Sequence, residues 1–138
     1  MIIKSYKILP SEAIEIRNTV FVNEQGFKNE FDEIDNYAVH LVAFEKEKAI
    51  AACRFYWDDE RKSYVVGRIA VIKSFRGQSV GSAILEEAEK EIKKLGGTCV
   101  SLLAQLRAEG FYKRCGYTSA GEHCYDEFCP HVWMEKIL

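Results

Sequence analysis

Between Tyr64 and Ala104 the residues spell out a strand, a tight glycine turn, a helix and a second strand. That unit limits the possible folds more than any other feature of the sequence. Val80, Ala83, Ile84, Ala88, Ile92 and Leu95 recur at helical spacing and form one apolar stripe. Glu86, Glu87, Glu89, Lys90, Glu91, Lys93 and Lys94 cover the opposite face, with Glu86–Lys90 and Glu89–Lys93 in the favourable i,i+4 order. Gly96-Gly97 stops the helix. Before it, Tyr64–Ile72 is rich in Val and Ile. After it, Thr98–Ala104 is almost continuously apolar, the pattern of a central strand. Strand, helix and strand in this order predict a parallel, right-handed crossover.

The flanking segments add antiparallel strands to that unit. Ile2, Ile3, Tyr6 and Ile8 sketch a first strand, and Pro10-Ser11-Glu12 opens a helix to about Val22. A polar stretch from Asn23 to Asn36 follows. Val39–Glu45 and Ala49–Trp57 flank the Lys46-Glu47-Lys48 turn and predict a hairpin, and Asp58–Arg61 turns the chain into Tyr64–Ile72. Leu106–Cys115 reads as a short helix ended by Gly116, and two strands near Tyr117–Tyr125 and His131–Ile137 close the chain. The expected fold class is α/β (α+β): a mixed, mainly antiparallel sheet of about seven strands flanked by helices. All of it fits a single domain over residues 1–138, long enough to fold without a disulfide or a metal.

Charge and cysteine usage remove several function classes. Nineteen Lys and Arg against 21 Asp and Glu leave a net charge of -2, so no basic footprint for nucleic acid exists. No segment approaches the ~18 uninterrupted apolar residues of a membrane span, and no membrane partner is expected. The N-terminus lacks a signal-peptide pattern, and the five cysteines are odd in number and irregular in spacing. These features suit a cytoplasmic setting with reduced thiols. His123, Cys124, Cys129 and His131 lack the spacing of a zinc knuckle, so no metal is expected. Cys115 has no adjacent histidine to make it a nucleophile.

The segment with chemical content is Arg76-Gly77-Gln78-Ser79-Val80-Gly81-Ser82, between the crossover's first strand and its helix. The first turn of a helix has N–H groups without intrahelical partners and carries partial positive charge. Small residues let a phosphate approach those groups, and Arg76 adds a full charge. A P-loop would need Lys-Ser or Lys-Thr after the second glycine, where Ser82-Ala83 stands, and the dinucleotide spacing is also missing. The turn alone is equally compatible with an ordinary glycine-containing connection.

Arg76-Gly77-Gln78-Ser79-Val80-Gly81 resembles the acyl-CoA pyrophosphate motif of the GNAT N-acetyltransferase superfamily, Arg/Gln-x-x-Gly-x-Gly/Ala. Arg68-Ile69-Ala70-Val71 resembles the strand that leads into it, and Phe111–Tyr117 is similar to the family's Phe-Tyr-x-x-x-Gly-Phe segment. Val20–Gly26, Asp32–Asp35, His40–Ala43, Ala104-Gln105 and Pro130-His131 are similar to the ElaA-like subgroup, so the resemblance covers nearly the whole chain. One departure stands out: Ser79 occupies a position where the family usually has glycine.

The resemblance implies an acetyl-CoA-dependent N-acetyltransferase that moves an acetyl group to a primary amine directly, in a ternary complex. It implies a cofactor site built from Ile69, Ala70, Val71, Arg76, Gly77, Gln78, Ser79, Val80, Gly81, Ser82 and Tyr112. It also places Tyr112 beside the sulfur. A phenol with pKa near 10 stays protonated at neutral pH and can donate to a thiolate near 8.5. For the general base the first candidate is Glu24, ahead of Asp126, Glu127 and His131, and a water chain is the alternative. The acidic run holding Asp32 and Asp35 is either a solvated loop or an acceptor-binding lip, with His131 in the same acceptor region. The partner is a small-molecule or peptide amine, and a homodimer through an edge strand stays open. The competing function is a non-catalytic acyl-CoA-binding or regulatory module of the same fold.

Overall fold

The structure is a computed structural model that describes all residues, 1–138. Seven strands form one sheet: β1 (Ile2–Tyr6), β2 (Val39–Glu45), β3 (Lys48–Asp58), β4 (Ser63–Val71), β5 (Cys99–Gln105), β6 (Thr118–Asp126) and β7 (Cys129–Ile137). Their order is β1-β2-β3-β4-β5-β7-β6, and every pair is antiparallel except β4–β5. Helices α1 (Ser11–Arg17), α2 (Val80–Lys94) and α3 (Glu109–Arg114) complete the framework. The expected fold class and the parallel crossover are both present.

Strand alternation explains why the sheet carries helices on both faces. Leu41, Ala43, Ala51, Cys53 and Phe55 belong to a core shared with Ile84, Leu85, Ala88 and Ile92 of α2. The intervening Val42 and Ala52 point the other way, into a second core with Ala13, Ile16 and Val20. The sheet is thus the middle layer between α2 and the N-terminal helical segment.

Two irregularities position the functional region. Ala52 pairs with Ala70 and Arg54 with Gly67, so Cys53 alone faces both Arg68 and Ile69, a β-bulge in β4. Arg68 takes φ +52° there. Strands β4 and β5 pair only at Tyr64–Val100 and Val65–Ser101, and beyond that point they have no register with each other. The split opens a cleft within a continuous sheet.

Local differences from the sequence expectations have physical reasons. The first helix is α-helical only to Arg17 and continues as a π-helical segment, Asn18–Glu24, where Thr19, Val20 and Val22 are weak α-formers. The short helix after β5 begins as a 3₁₀ turn, Leu106–Ala108. Tyr117 lies buried ahead of β6 because its hydroxyl donates to Glu89 at 2.7 Å.

Candidate active site

The cofactor side of the site starts at the glycine turn. Backbone N–H groups from Gly77 to Ser82 donate no hydrogen bond within the protein, and no side chain caps α2. Six successive free donors at the positive end of a 15-residue helix form a concave anion receptor. Gly77 (φ +78°) and Ser79 (φ +62°) both adopt left-handed backbone, which turns the donors to one side. Gly81 also lines the groove, and a Cβ there would make ordinary contact with the Phe111 ring at 3.4 Å. A groove of about 700 Å³ runs from this turn along Ile69, Ala70 and Val71 to Phe111, Tyr112 and Cys115.

A second, more polar cleft of about 450 Å³ occupies the split between β4 and β5. Gly67, Arg68 and Ile69 line one wall and Leu102, Leu103 and Gln105 the other, and Asp126 and His131 also line it. The groove and the cleft share Gln25, Ile69, Arg76, Ala108 and Tyr112. Tyr112 therefore stands where the two cavities meet. Phe111 and Tyr117 meet its ring edge-on at centroid distances of 5.0 and 6.1 Å. Its hydroxyl makes no hydrogen bond to the protein, and burial pushes its pKa above the ordinary phenol range. The group stays a proton donor at any physiological pH.

Glu24 sits at this junction but is engaged. Its two carboxylate oxygens accept from the Arg76 guanidinium at 2.9 and 2.9 Å, while Arg76 Nε donates to the Val71 carbonyl at 2.9 Å. The Arg76 hydrogen bond lowers the Glu24 pKa, which makes it a weaker proton acceptor. Arg76 lines both the groove and the cleft while paired with Glu24.

Asp32 and Asp35 lie apart from the cleft, within an ion network. Arg17, 1% exposed, donates to Glu30 at 2.8 Å and to Asp35 at 2.8 Å. Arg54, also buried, donates to Asp32 at 2.6 Å and to Asp35 at 2.9 Å, and Arg68 reaches Glu30 at 3.0 Å and Asp32 at 3.3 Å. Three arginines thus neutralise three acids. Burial works against the Asp35 carboxylate, but hydrogen bonds from Arg17 and Arg54 outweigh it and hold its pKa well below the usual range. Of the acidic run only Glu33 is left without an ion partner.

Gln25 and Gln105 stand in segments that carry the ElaA-like resemblance, but the sequence assigned them no role at the junction. Gln105 Nε2 donates to Gln25 Oε1 at 2.8 Å, and Arg107 Nε donates to Gln105 Oε1 at 2.9 Å, a polar bridge across the cleft. Arg114 lines the cofactor groove and makes no ion pair. Nothing in the sequence pairs Gln25 with Gln105 or places Arg107 and Arg114 beside them; the tertiary fold brings them together.

The family model for an acetyltransferase (GNAT) domain matches residues 9–138, and the chain belongs to that family. It is 35% identical over 128 residues to YjcF of Bacillus subtilis (strain 168), named an uncharacterized N-acetyltransferase, with 91% of this chain and 90% of the relative covered. Protein ElaA of Escherichia coli (strain K12) is 25% identical over 128 residues, covering 89% of this chain and 84% of ElaA. A Lactobacillus plantarum crystal structure described as an N-acetyltransferase superposes with TM-score 0.87 at 26% identity, covering 100% of this chain and 99% of the other.

Proposed function

We propose that the protein transfers an acetyl group from acetyl-CoA to a primary amine directly, with both substrates bound at once. The observation that carries this reading is the meeting of two cavities at one phenol. The groove leads from six unpaired N–H donors to Tyr112, and the same side chain lines the cleft. In this reading the pyrophosphate lies on the turn Gly77–Ser82, and Arg114 supplies the nearby positive charge. The pantetheine arm runs along Ile69–Val71, where β4 has no β5 partner and where the Val71 carbonyl is taken by Arg76. A free N–H on this edge receives the thioester carbonyl and stabilises the oxyanion that develops there.

Once the amine attacks, the tetrahedral adduct collapses and the C–S bond breaks. Tyr112 donates its proton to the departing thiolate. Attack across the junction needs no covalent enzyme intermediate, and Cys115 suits none: burial raises its pKa, away from the thiolate.

The test is release of free CoA from acetyl-CoA in the presence of benzylamine, spermidine, lysine and an amino sugar, with calorimetric CoA binding in parallel. The reading expects binding together with amine-dependent CoA release. Binding without release for every amine would instead identify a non-catalytic acyl-CoA-binding module.

A further inference from the structure

We infer that His131 Nε2 is the proton acceptor for the attacking amine, an assignment that rests on the N-acetyltransferase reading above. His131 lies on β7 opposite Gln105 of β5 and Cys124 of β6, and it lines the cleft together with Tyr112. The side chain is held rigidly, with the residue only 6% exposed.

One hydrogen bond fixes the tautomer. Nδ1 lies 2.9 Å from the carbonyl oxygen of Cys129. A carbonyl only accepts, so Nδ1 carries the hydrogen, and Nε2 of the neutral ring is left with its lone pair. Nε2 has no partner within the protein. The cleft therefore contains a basic nitrogen that is oriented, desolvated on most sides and uncommitted.

The groups around it leave it as the best-placed base. Glu24 is held by Arg76, and Glu30 by Arg17 and Arg68. Asp126 on β6 carries a free carboxylate, but carboxylates hold protons more weakly than imidazole by more than about two pKa units. The Arg107 guanidinium, on the turn after β5, lines the same cleft. Burial raises the Cys129 thiol and the Tyr112 phenol, so both stay protonated and neutral.

The proton balance closes without any further reactant. The nitrogen attacks the thioester carbon, an N–C bond forms, and a proton passes from nitrogen to Nε2. Collapse breaks the C–S bond, and the thiolate takes the Tyr112 proton. The imidazolium then returns its proton to the phenolate through solvent, leaving an amide and free CoA.

His131→Asn tests this, because an amide N–H can replace Nδ1–H against the Cys129 carbonyl while the basic nitrogen disappears. With the amine that gives the fastest wild-type turnover, kcat/KM is expected to fall ~10²–10⁴-fold with CoA affinity unchanged. The acid limb of log(kcat/KM) against pH is expected to lose one unit of slope, a change that a packing role would not produce. A variant that keeps the wild-type rate and slope overturns the assignment alone. Wild-type protein inactive on every amine overturns the transferase reading, and this assignment falls with it. Should the variant lose CoA binding through misfolding, nitrogen NMR of wild-type His131 decides: a bare Nε2 supports the assignment and an Nε2–H tautomer overturns it.

Discussion

Tyr112 combines a packed ring with an unpartnered hydroxyl, so removing only the hydroxyl separates chemistry from folding. Tyr112→Phe is expected to leave the melting temperature and CoA affinity unchanged while the chemical step slows ~10²–10⁴-fold. Single-turnover measurements with acetyl-CoA and an active amine read this directly, and near-wild-type rates would reduce Tyr112 to a packing residue. Because burial raises its pKa, the alkaline loss of activity in the wild type is expected above the ordinary phenol range. Glu24 has the opposite character, a carboxylate committed to Arg76. Glu24→Gln is expected to free the Arg76 charge for an anionic cofactor, tightening CoA binding ~2–5-fold, the scale of an exposed pair. Its pH–rate profile should keep the wild-type shape. A rate loss of two decades would return Glu24 to the role of base. Sequence reasoning put Glu24 ahead of His131 without sight of ion pairing or tautomer, which tertiary neighbours set.

The glycine turn was legible at the level of an element because its chemistry is backbone chemistry. Small residues between a strand and an amphipathic helix imply unpaired N–H donors wherever the helix finally sits. Ser79 departs from the family pattern at a left-handed residue, φ +62°, where a side chain is strained by roughly 1 kcal/mol or more. Ser79→Gly is therefore expected to raise the melting temperature by about 3 °C and to preserve CoA binding. A lower melting temperature would mean that the serine contributes more than its backbone costs. The β4 bulge was not legible, because Arg68-Ile69 reads as an uninterrupted strand and only the register with β3 shows the extra residue. The same holds for the split between β4 and β5. Apolar pattern predicts that two strands belong to one sheet, not where their pairing stops.

For the whole molecule, the periodicities of two and 3.6 residues were enough to place seven strands along the chain and the parallel crossover, while the spatial order β5-β7-β6 and the ion network went unseen. Four acids within Glu30–Asp35 look like a solvated lip in one dimension, and the arginines that claim them lie far away in sequence, at Arg17, Arg54 and Arg68. The network joins α1, the following loop, β3 and β4, and two of its members, Glu30 and Arg68, also line the cleft. Asp35 is its centre, bonded by both buried arginines. Removing one partner from a buried ion pair typically costs ~3–5 kcal/mol, a large share of the ~5–15 kcal/mol that holds a domain together. Asp35→Asn is expected to lose stability on that scale in urea unfolding at pH 7. Since the folded state holds the Asp35 pKa below its unfolded value, its contribution is complete above about pH 4 and declines as the pH falls toward the folded value. Glu30 acts in the opposite sense: burial raises its pKa, so protonation in the folded state gains stability as pH falls. Subtracting the variant's unfolding free energy from the wild type's at pH 7, 4 and 3 cancels the Glu30 contribution to first order. The difference should stay constant from pH 7 to about 4 and shrink below it. A difference independent of pH down to 3 would mean that Asp35 acts by shape and hydrogen bonding, with its charge contributing nothing.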